Sequence, residues 1–451
     1  MHAKTRFLSV AVLLFAAAIS SHGQQPAQEE FVSVLGRFGI MLPTNYAEFK
    51  TNLDLTVGEN KFYGAMYRWA LASDQAVISY ATGSLDLEAK ADVYLPAFRD
   101  DYIKKTTQGS VIGEKKTSLA GHPGLIFVVD SSVGRTMAWT YLIRNRFYLM
   151  SLTLNDAAKT EEHVKLLSTF RLLTRKDLEP RYAQLISELT PTPLAPEAAI
   201  DRPTTDAQDV ALKGKVKQVV TESERYFGDV LFDDRDVLSV EDFDERGNLT
   251  RSVQYAGDLP RAVRAYGYKK GERVFREMRR LPNIVLASDS KDRKDHITKA
   301  PEPEAKDFKI KYKHDRDGKL LELRVVREDG KEYESFVYNP KNKTVEHTFD
   351  SAYGFFGGDF NFEQNKKTST LDANGNSIED AYRVPDGATP ISRYDGDKYI
   401  QSYEPRYKTE KVKHEYELDD HGNWIKRKTF ALKDKGPVPT LVTYRTITYY
   451  Q

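Results

Sequence analysis

The residue types that most often bind transition metals are scarce in this chain, whose 451 residues include nine histidines and no cysteine. Disulfides, thiolate zinc sites and cysteine nucleophiles are therefore excluded. The histidines are dispersed, and no H-E-x-x-H pattern occurs. His414 and His421 lie seven residues apart in strand-like sequence, where they would point to opposite faces of the sheet. We therefore predict no metal site and no cofactor.

Motifs for nucleophilic catalysis and phosphate binding are also missing. Residues 109–113 read GSVIG, which lacks the spacing of the G-x-S-x-G elbow. Neither G-x-x-x-x-G-K-[ST] nor G-x-G-x-x-G occurs. Residues 372–376 begin like a calcium loop, but the glycine is fourth and Arg383 stands where a bidentate glutamate belongs.

These absences favour a protein without catalytic residues. The alternative is a polysaccharide hydrolase with a pair of carboxylates between its domains. The chain has 66 acidic residues. Such chemistry needs two carboxylates about 5–9 Å apart, and the sequence alone does not show which acids would meet.

Composition and charge restrict the class of protein. Lysine and arginine total 67 against 66 acidic residues, for a net charge of +1, and 40% of residues are hydrophobic. This composition excludes a polytopic membrane protein and a wholly disordered chain. The balanced charge also argues against nucleic acid as a partner.

The first 23 residues have the three regions of a secretory signal. His2, Lys4 and Arg6 precede an apolar run at residues 7–19, and Ser21 and Gly23 supply small residues for cleavage. The run is shorter than the about 20 residues that span a bilayer. We predict cleavage near Gly23 and a secreted or periplasmic protein with no transmembrane segment in the mature chain.

Residues 31–174 predict an α+β domain. Strand-like segments are followed by a helical pattern at residues 87–108, two hairpins with turns at 120–124 and 144–146, and a closing helix at 160–170. With its Gly39-x-x-x-Pro43 and Gly121-x-Pro123-Gly124 motifs, this order resembles the PsbP-like family. The resemblance implies an α/β/α sandwich. It does not bring photosystem binding with it, because no residue constellation for that role is recognisable.

Residues 175–210 predict a linker, since four prolines at 191, 193, 196 and 203 favour a semi-rigid extended chain. Residues 211–451 predict a β-rich domain. Four Asp-x-x-Gly segments followed by Asn or Lys begin at Asp244, Asp315, Asp372 and Asp419. Asp can accept bonds from nearby backbone amides, and Gly tolerates positive φ, so each segment predicts a hairpin turn. The segments resemble YD or RHS-type repeats, and we predict a meander of antiparallel hairpins.

Two surface regions are candidates for binding. Residues 261–299 are rich in basic side chains, and an anionic glycan or lipid headgroup could bind Arg276, Arg279 and Arg280. A solvated strand face is the favoured alternative. Residues 353–362 are aromatic and glycine-rich, and they predict a plug for the β-rich domain or a stacking platform for sugars. Their candidate binding residues are Tyr353, Phe355, Phe356 and Phe360. The predicted function is that of an exported, non-catalytic protein whose β-rich domain binds an envelope protein or glycan.

Overall fold

The computed structural model describes most of the chain after residue 27. The described ranges are residues 28–33, 36–43, 47–57, 60–71, 74–82, 87–132, 134–154, 160–194, 203–227, 230–231, 235–256, 259–269, 272–279, 304–349, 365–395 and 398–451. They form two compact units, one up to Arg181 and the other from Tyr182. Within these ranges, no helix is both long enough and apolar enough to cross a membrane.

The first unit is a small α/β structure around a seven-stranded antiparallel sheet. The strand order is β3-β4-β5-β9-β8-β7-β6, with β3 (Ala47–Val57), β4 (Asn60–Leu71), β5 (Asp74–Thr82), β6 (Ser110–Leu119), β7 (His122–Ser131), β8 (Gly134–Ile143) and β9 (Arg146–Leu154). A second, three-stranded sheet contains β1 (Gln28–Ser33), β2 (Phe38–Pro43) and β10 (Arg171–Leu172). The helices are α1 (Ala91–Tyr102), α2 (Thr160–Leu167) and α3 (Arg175–Leu189), and the last contains the division between the units.

Two apolar clusters form the core of this unit. In one, Leu95 and Phe98 of α1 pack against the large sheet, where the Phe98 ring stacks on Phe147 at 4.0 Å between centroids. In the other, Phe38 of β2 packs with Trp69 and with Phe170, which follows α2. One cluster thus joins the large sheet to α1, and the other joins it to the small sheet and α2.

The second unit is a closed antiparallel β-barrel of 14 strands. Each strand pairs with the next along the chain, and β25 pairs with β11 to close the barrel. A two-residue strand, β12 (Val230–Leu231), pairs only with β11. The barrel strands are β11 (Val216–Phe227), β13 (Asp236–Phe243), β14 (Leu249–Ala256), β15 (Leu259–Lys269), β16 (Glu272–Arg279), β17 (Glu304–His314), β18 (Leu320–Arg327), β19 (Glu332–Asn339), β20 (Thr344–Phe349), β21 (Asn365–Leu371), β22 (Ser377–Asp395), β23 (Lys398–Leu418), β24 (Trp424–Lys433) and β25 (Gly436–Tyr449).

The resemblance to YD or RHS-type repeats was wrong, because the second unit is a closed barrel. The predicted antiparallel hairpins are present, but they close on themselves through the pairing of Val219 with Ile447 and its neighbours. Closure removes both edge strands of the meander. Because the pairing joins the two ends of the domain, no local repeat pattern in the sequence could reveal it.

All four Asp-x-x-Gly segments form the same turn. In each, the Asp Oδ1 accepts bonds from the amides two and four residues later, as Asp372 does from Asn374 and Asn376 at 2.8 Å each. The glycines have φ between +78° and +86°. In three-residue hairpin loops, the last residue has positive φ and forms a β-bulge. A shift of strand register next to each of the four turns agrees with such a bulge. The predicted hairpin geometry is therefore present at all four sites.

The four turns lie at one end of the barrel, because they all follow strands that run in the same direction. There they approach residues 203–213, here called the capping segment, which includes the short helix α4 (Asp206–Asp209). A Cβ on Gly375 would lie 3.0 Å from the Ala211 Cβ, and one on Gly318 would lie 3.1 Å from the Pro203 Cβ. The capping segment thus contacts turns distributed around the barrel end. Most of it belongs to the region that the sequence predicts as a linker.

Substitution of these glycines tests the contact. Gly375→Ala is expected to destabilise the barrel by more than Gly330→Ala. Both glycines have φ near +85°, so each substitution incurs about 1–2 kcal/mol of backbone strain. Only Gly375 is close to the capping segment, since a Cβ on Gly330 meets nothing within 4 Å. Urea unfolding of the two variants would measure the difference, and equal losses would contradict the contact.

Candidate functional site

The inner face of the barrel, here called the lumen, can be traced through the strand register. Residues that pair directly across strands share a face of the sheet, and one series of direct pairs joins Arg445, Thr221, Ser239, Gln254, Ala262 and Arg279. The Arg279 guanidinium then donates to the Tyr333 hydroxyl at 3.2 Å, across two intervening strands. Only side chains on the concave side of the barrel can meet in this way, so this face is the lumen.

One part of the lumen contains a compact network of ion pairs. Glu277 accepts from Arg264 at 2.6 Å and forms an ion pair with Arg279 at 2.9 Å. Burial raises the pKa of Glu277, but the two guanidinium groups outweigh burial, and its pKa lies below the usual value. The rings of Phe275 and Phe308 stack beside this network at 4.7 Å. Glu277 is therefore held as a neutralised anion.

A second network surrounds Asp380, which is 2% exposed. Its carboxylate accepts from Ser369 at 2.5 Å and Ser377 at 2.6 Å, and it lies 3.1 Å from the His414 Nε2. The other ring nitrogen of His414 is 3.0 Å from the Thr429 hydroxyl. Burial raises the pKa of Asp380, but the hydrogen bond from His414 and the nearby Lys367 cation lower it well below the usual range.

The order Thr429, His414, Asp380 has the connectivity of a hydroxyl, a base and an orienting carboxylate. However, these three side chains are 7%, 8% and 2% exposed. The Asp380 Oδ1 already accepts from both serine hydroxyls, and the Tyr382 hydroxyl donates to Oδ2. A substrate would have to displace packed side chains to reach the threonine. The arrangement acts as a structural network that joins strands β21 to β24.

A third group contains two arginines on adjacent strands. The guanidinium carbons of Arg427 and Arg445 lie 5.2 and 3.7 Å from the ring centroid of Trp424. Thr443 pairs directly with Arg427 on the same face. Burial lowers the pKa of Arg445 to about 10, Glu241 opposes this shift, and Arg427 adds to it. Within the described ranges, no carboxylate oxygen lies within 4.0 Å of either guanidinium group.

The outer face of the strands has the opposite organisation. Residues that alternate with the lumen side chains form exposed ion pairs around the barrel, namely Lys309–Glu272, Arg324–Glu322, Lys366–Glu346, Lys411–Glu379, Lys413–Glu415 and Lys426–Glu417. Strands β13 to β16 differ, because Ile186 and Leu189 of α3 pack against Val253 and Val263. The described outer face is therefore mostly charged or covered by α3, with single exposed apolar side chains such as Val337.

Solved structures that match this chain include distant ones at low identity. A porin-like protein from Bacteroides uniformis matches at 12% identity and a TM-score of 0.27, over 52% of this chain and 98% of its own. Cyanobacterial PsbP (CyanoP) from Synechocystis sp. PCC 6803 matches at 10% identity and a TM-score of 0.24, over 35% of this chain and 98% of its own. No protein-family model and no curated protein matches the chain.

These matches agree in part with the resemblance predicted from the sequence. CyanoP is a PsbP protein, and it matches this chain over part of its length. The porin-like protein was not anticipated, since the β-rich domain was predicted as an open meander. Identities of 10–12% with TM-scores of 0.24–0.27 assign no function to this chain.

The predicted binding residues do not come together in the described part of the chain. Arg276 lies on the outer face, where its guanidinium donates two bonds to Asp307 at 2.6 and 2.9 Å. Arg279 points into the lumen instead. Arg280, Tyr353, Phe355, Phe356 and Phe360 lie outside the described residues.

The sequence analysis did not single out Trp424, Arg427 and Arg445. The available signal was the alternation of His414 and Tyr416 before the turn at Asp419. Simple alternation would place Trp424 and Arg427 on opposite faces, and both face the lumen because the register between β23 and β24 skips Ile425. Alternation assigns side chains to one face of a hairpin, but it does not show whether that face is the inside of a barrel. Among the described residues, no three His, Asp or Glu side chains converge as a metal site would require.

Proposed function

We propose that this chain is an exported, non-catalytic binding protein of the cell envelope that is soluble in water and binds its ligand in the barrel lumen. The observation that carries the proposal is the division of charge between the two faces of the barrel. The outer face has matched ion pairs. In the lumen, by contrast, no carboxylate among the described residues forms an ion pair with Arg427 or Arg445. The N-terminal sequence supports export, because residues 1–23 have the pattern of a signal peptide.

The outer face argues against a barrel that spans a lipid bilayer. Membrane barrels have an outward apolar band about 25 Å tall, and a lysine or arginine at its midplane costs about 2–4 kcal/mol. Here outward lysines, arginines and glutamates occur along strands β16 to β24. The described outer face leaves no apolar band of that kind, so we assign this barrel to water.

The lumen favours binding over hydrolysis. A glycosidase needs two carboxylates, one of which acts as an acid with a raised pKa. Glu277 and Asp380 have lowered pKa values because cations and hydrogen bonds hold them. Burial raises the pKa of Glu241, but the charged groups that act on it are Arg445 and Arg264. Glu241 thus has the raised pKa of an acid, but Glu277 and Asp380 are engaged by cations and hydrogen bonds, so the described lumen favours binding.

Fractionation of the exported chain tests this proposal. We expect residues 24–451 to be recovered without detergent in the aqueous fraction of the envelope. Replacing Lys411, Lys413 and Lys426 together by leucine should lower the solubility of the protein, because it creates an apolar patch in water. A wild-type chain that sediments with membranes, and a triple variant that inserts into them more readily, would contradict the proposal.

A further inference from the structure

The lumen contains two guanidinium groups whose hydrogen-bonding capacity is incompletely used. The Nε atoms of Arg427 and Arg445 are buried and lack a hydrogen-bond partner within the described part of the chain. A guanidinium has five donors in a planar fork, and that fork matches carboxylate and phosphate oxygens. A buried donor without an acceptor destabilises the protein. An anion that accepts from these two Nε atoms would therefore stabilise it.

The residues around this pair add a third unsatisfied group. Thr443 pairs directly with Arg427. It is only 1% exposed, and its Oγ1 has no hydrogen-bond partner among the described residues. A threonine hydroxyl both donates and accepts. Two cationic donors and a neutral hydroxyl on the same inner face of two adjacent strands form a set that suits an oxyanion.

Aromatic rings pack against the two arginines. Trp424 holds both guanidinium groups by cation–π contact at 5.2 Å or less, and its ring lies 5.9 Å from the Tyr416 ring. Although they face the lumen, Arg427, Arg445 and Tyr416 remain partly exposed. These three side chains are therefore accessible to solvent in part, as an anion that binds them requires.

We propose that Arg427, Arg445 and Thr443 bind the phosphate group of a small ligand in the barrel lumen, with Trp424 orienting the two guanidinium groups. This inference rests on the proposed function as a binding protein and names the chemistry of the bound group. Phosphate matches the site better than a carboxylate, because it carries a charge of about −1.5 to −2 at neutral pH and offers oxygens to both arginines. Among acidic residues, Glu241 has the largest electrostatic effect on Arg445. Its negative charge partly offsets the positive charge of the two arginines.

Titration calorimetry of the full mature chain tests the proposal, with inorganic phosphate and glucose 6-phosphate as probes and acetate as the control anion. We expect one site that binds at least one of the phosphates. Arg445→Met should weaken binding about tenfold to a hundredfold, the range of one charged hydrogen bond. Glu241→Gln should strengthen it, since it removes an opposing negative charge without changing the shape of the side chain.

The matched control is Arg324→Met, which removes an exposed outer-face arginine paired with Glu322, and it should leave the affinity unchanged. Binding of inorganic phosphate would identify free phosphate as a ligand, and binding of glucose 6-phosphate alone would indicate phosphate on an organic carrier. Absence of binding by both phosphates, or equal binding of acetate, would overturn the inference. So would a Glu241→Gln variant with unchanged or weaker affinity. None of these results would affect the fractionation test of solubility.

Discussion

Asp206→Ala is expected to destabilise the barrel by about 3–5 kcal/mol, the range for a buried ion pair that loses one partner. Asp206 joins the capping segment to three strands. Its carboxylate accepts from Arg273 at 2.6 Å, from the Leu249 amide at 2.8 Å and from the Tyr312 hydroxyl at 3.0 Å. Removal of Asp206 leaves Arg273, whose side chain is 4% exposed, without its neutralising anion. Urea unfolding of residues 24–451 would measure the loss.

The control for this prediction is Asp307→Ala on the outer face. Asp307 also pairs with an arginine, Arg276, at 2.6 Å, but the arginine side chain is 32% exposed. Exposed ion pairs contribute about 0–1 kcal/mol, so Asp307→Ala should have little effect. Equal losses in the two variants would contradict the role of Asp206 as the anchor of the capping segment.

Asp380→Ala is expected to have an effect of similar size, about 3–5 kcal/mol at neutral pH. It removes the acceptor that Ser369, Ser377 and His414 share inside the lumen. Asp420→Ala, at an exposed position in a hairpin turn, is the control and should change stability little. If the two variants unfolded at the same urea concentration, the Asp380 network would not stabilise the barrel.

The low pKa of Asp380 also predicts that the stability of the protein depends on pH. Its pKa in the folded protein is well below the usual value, because hydrogen bonds and Lys367 outweigh burial. The unfolded chain therefore binds the proton more readily than the folded one, and the contribution of Asp380 is fully present above the ordinary aspartate pKa of about 3.9. It is lost as the pH falls below that value. The difference in stability between wild type and Asp380→Ala should accordingly shrink from pH 6 to pH 3.

Local features of the fold were predictable because neighbouring residues determine them. The turns at Asp244, Asp315, Asp372 and Asp419 depend on an aspartate that accepts nearby amides and on a glycine that adopts positive φ. Both properties belong to residues within five positions of one another. The hairpins on either side follow from the same turns. The helix and paired hairpins of the first unit were predicted on similar local grounds.

The candidate site was not predictable in the same way. The arginines proposed from sequence, Arg276 and Arg279, are prominent in a basic segment, yet they point to opposite faces of β16 and pair with Asp307 and Glu277. The pair that lacks such partners lies elsewhere: Arg427 is one of four basic residues in 424–433, which has no acidic one, and Arg445 is the single charged residue of 436–449. Whether an arginine has a counterion depends on strands far along the chain, so composition does not distinguish these cases.

The sequence by itself determined the absence of cysteine chemistry, the four hairpin turns, the antiparallel β character of the second unit and the alternation of side chains along its strands. Each of these follows from residue type or from interactions within a few positions. Only the tertiary structure decided that β25 pairs with β11. That pairing closes the sheet, so that one face of every strand lines the lumen and the other face forms the outer surface. The same closure brings the capping segment to the four turns and places Trp424, Arg427 and Arg445 inside the barrel. Contacts between residues as distant as Val219 and Ile447 depend on the register of all the intervening strands, which no local pattern encodes.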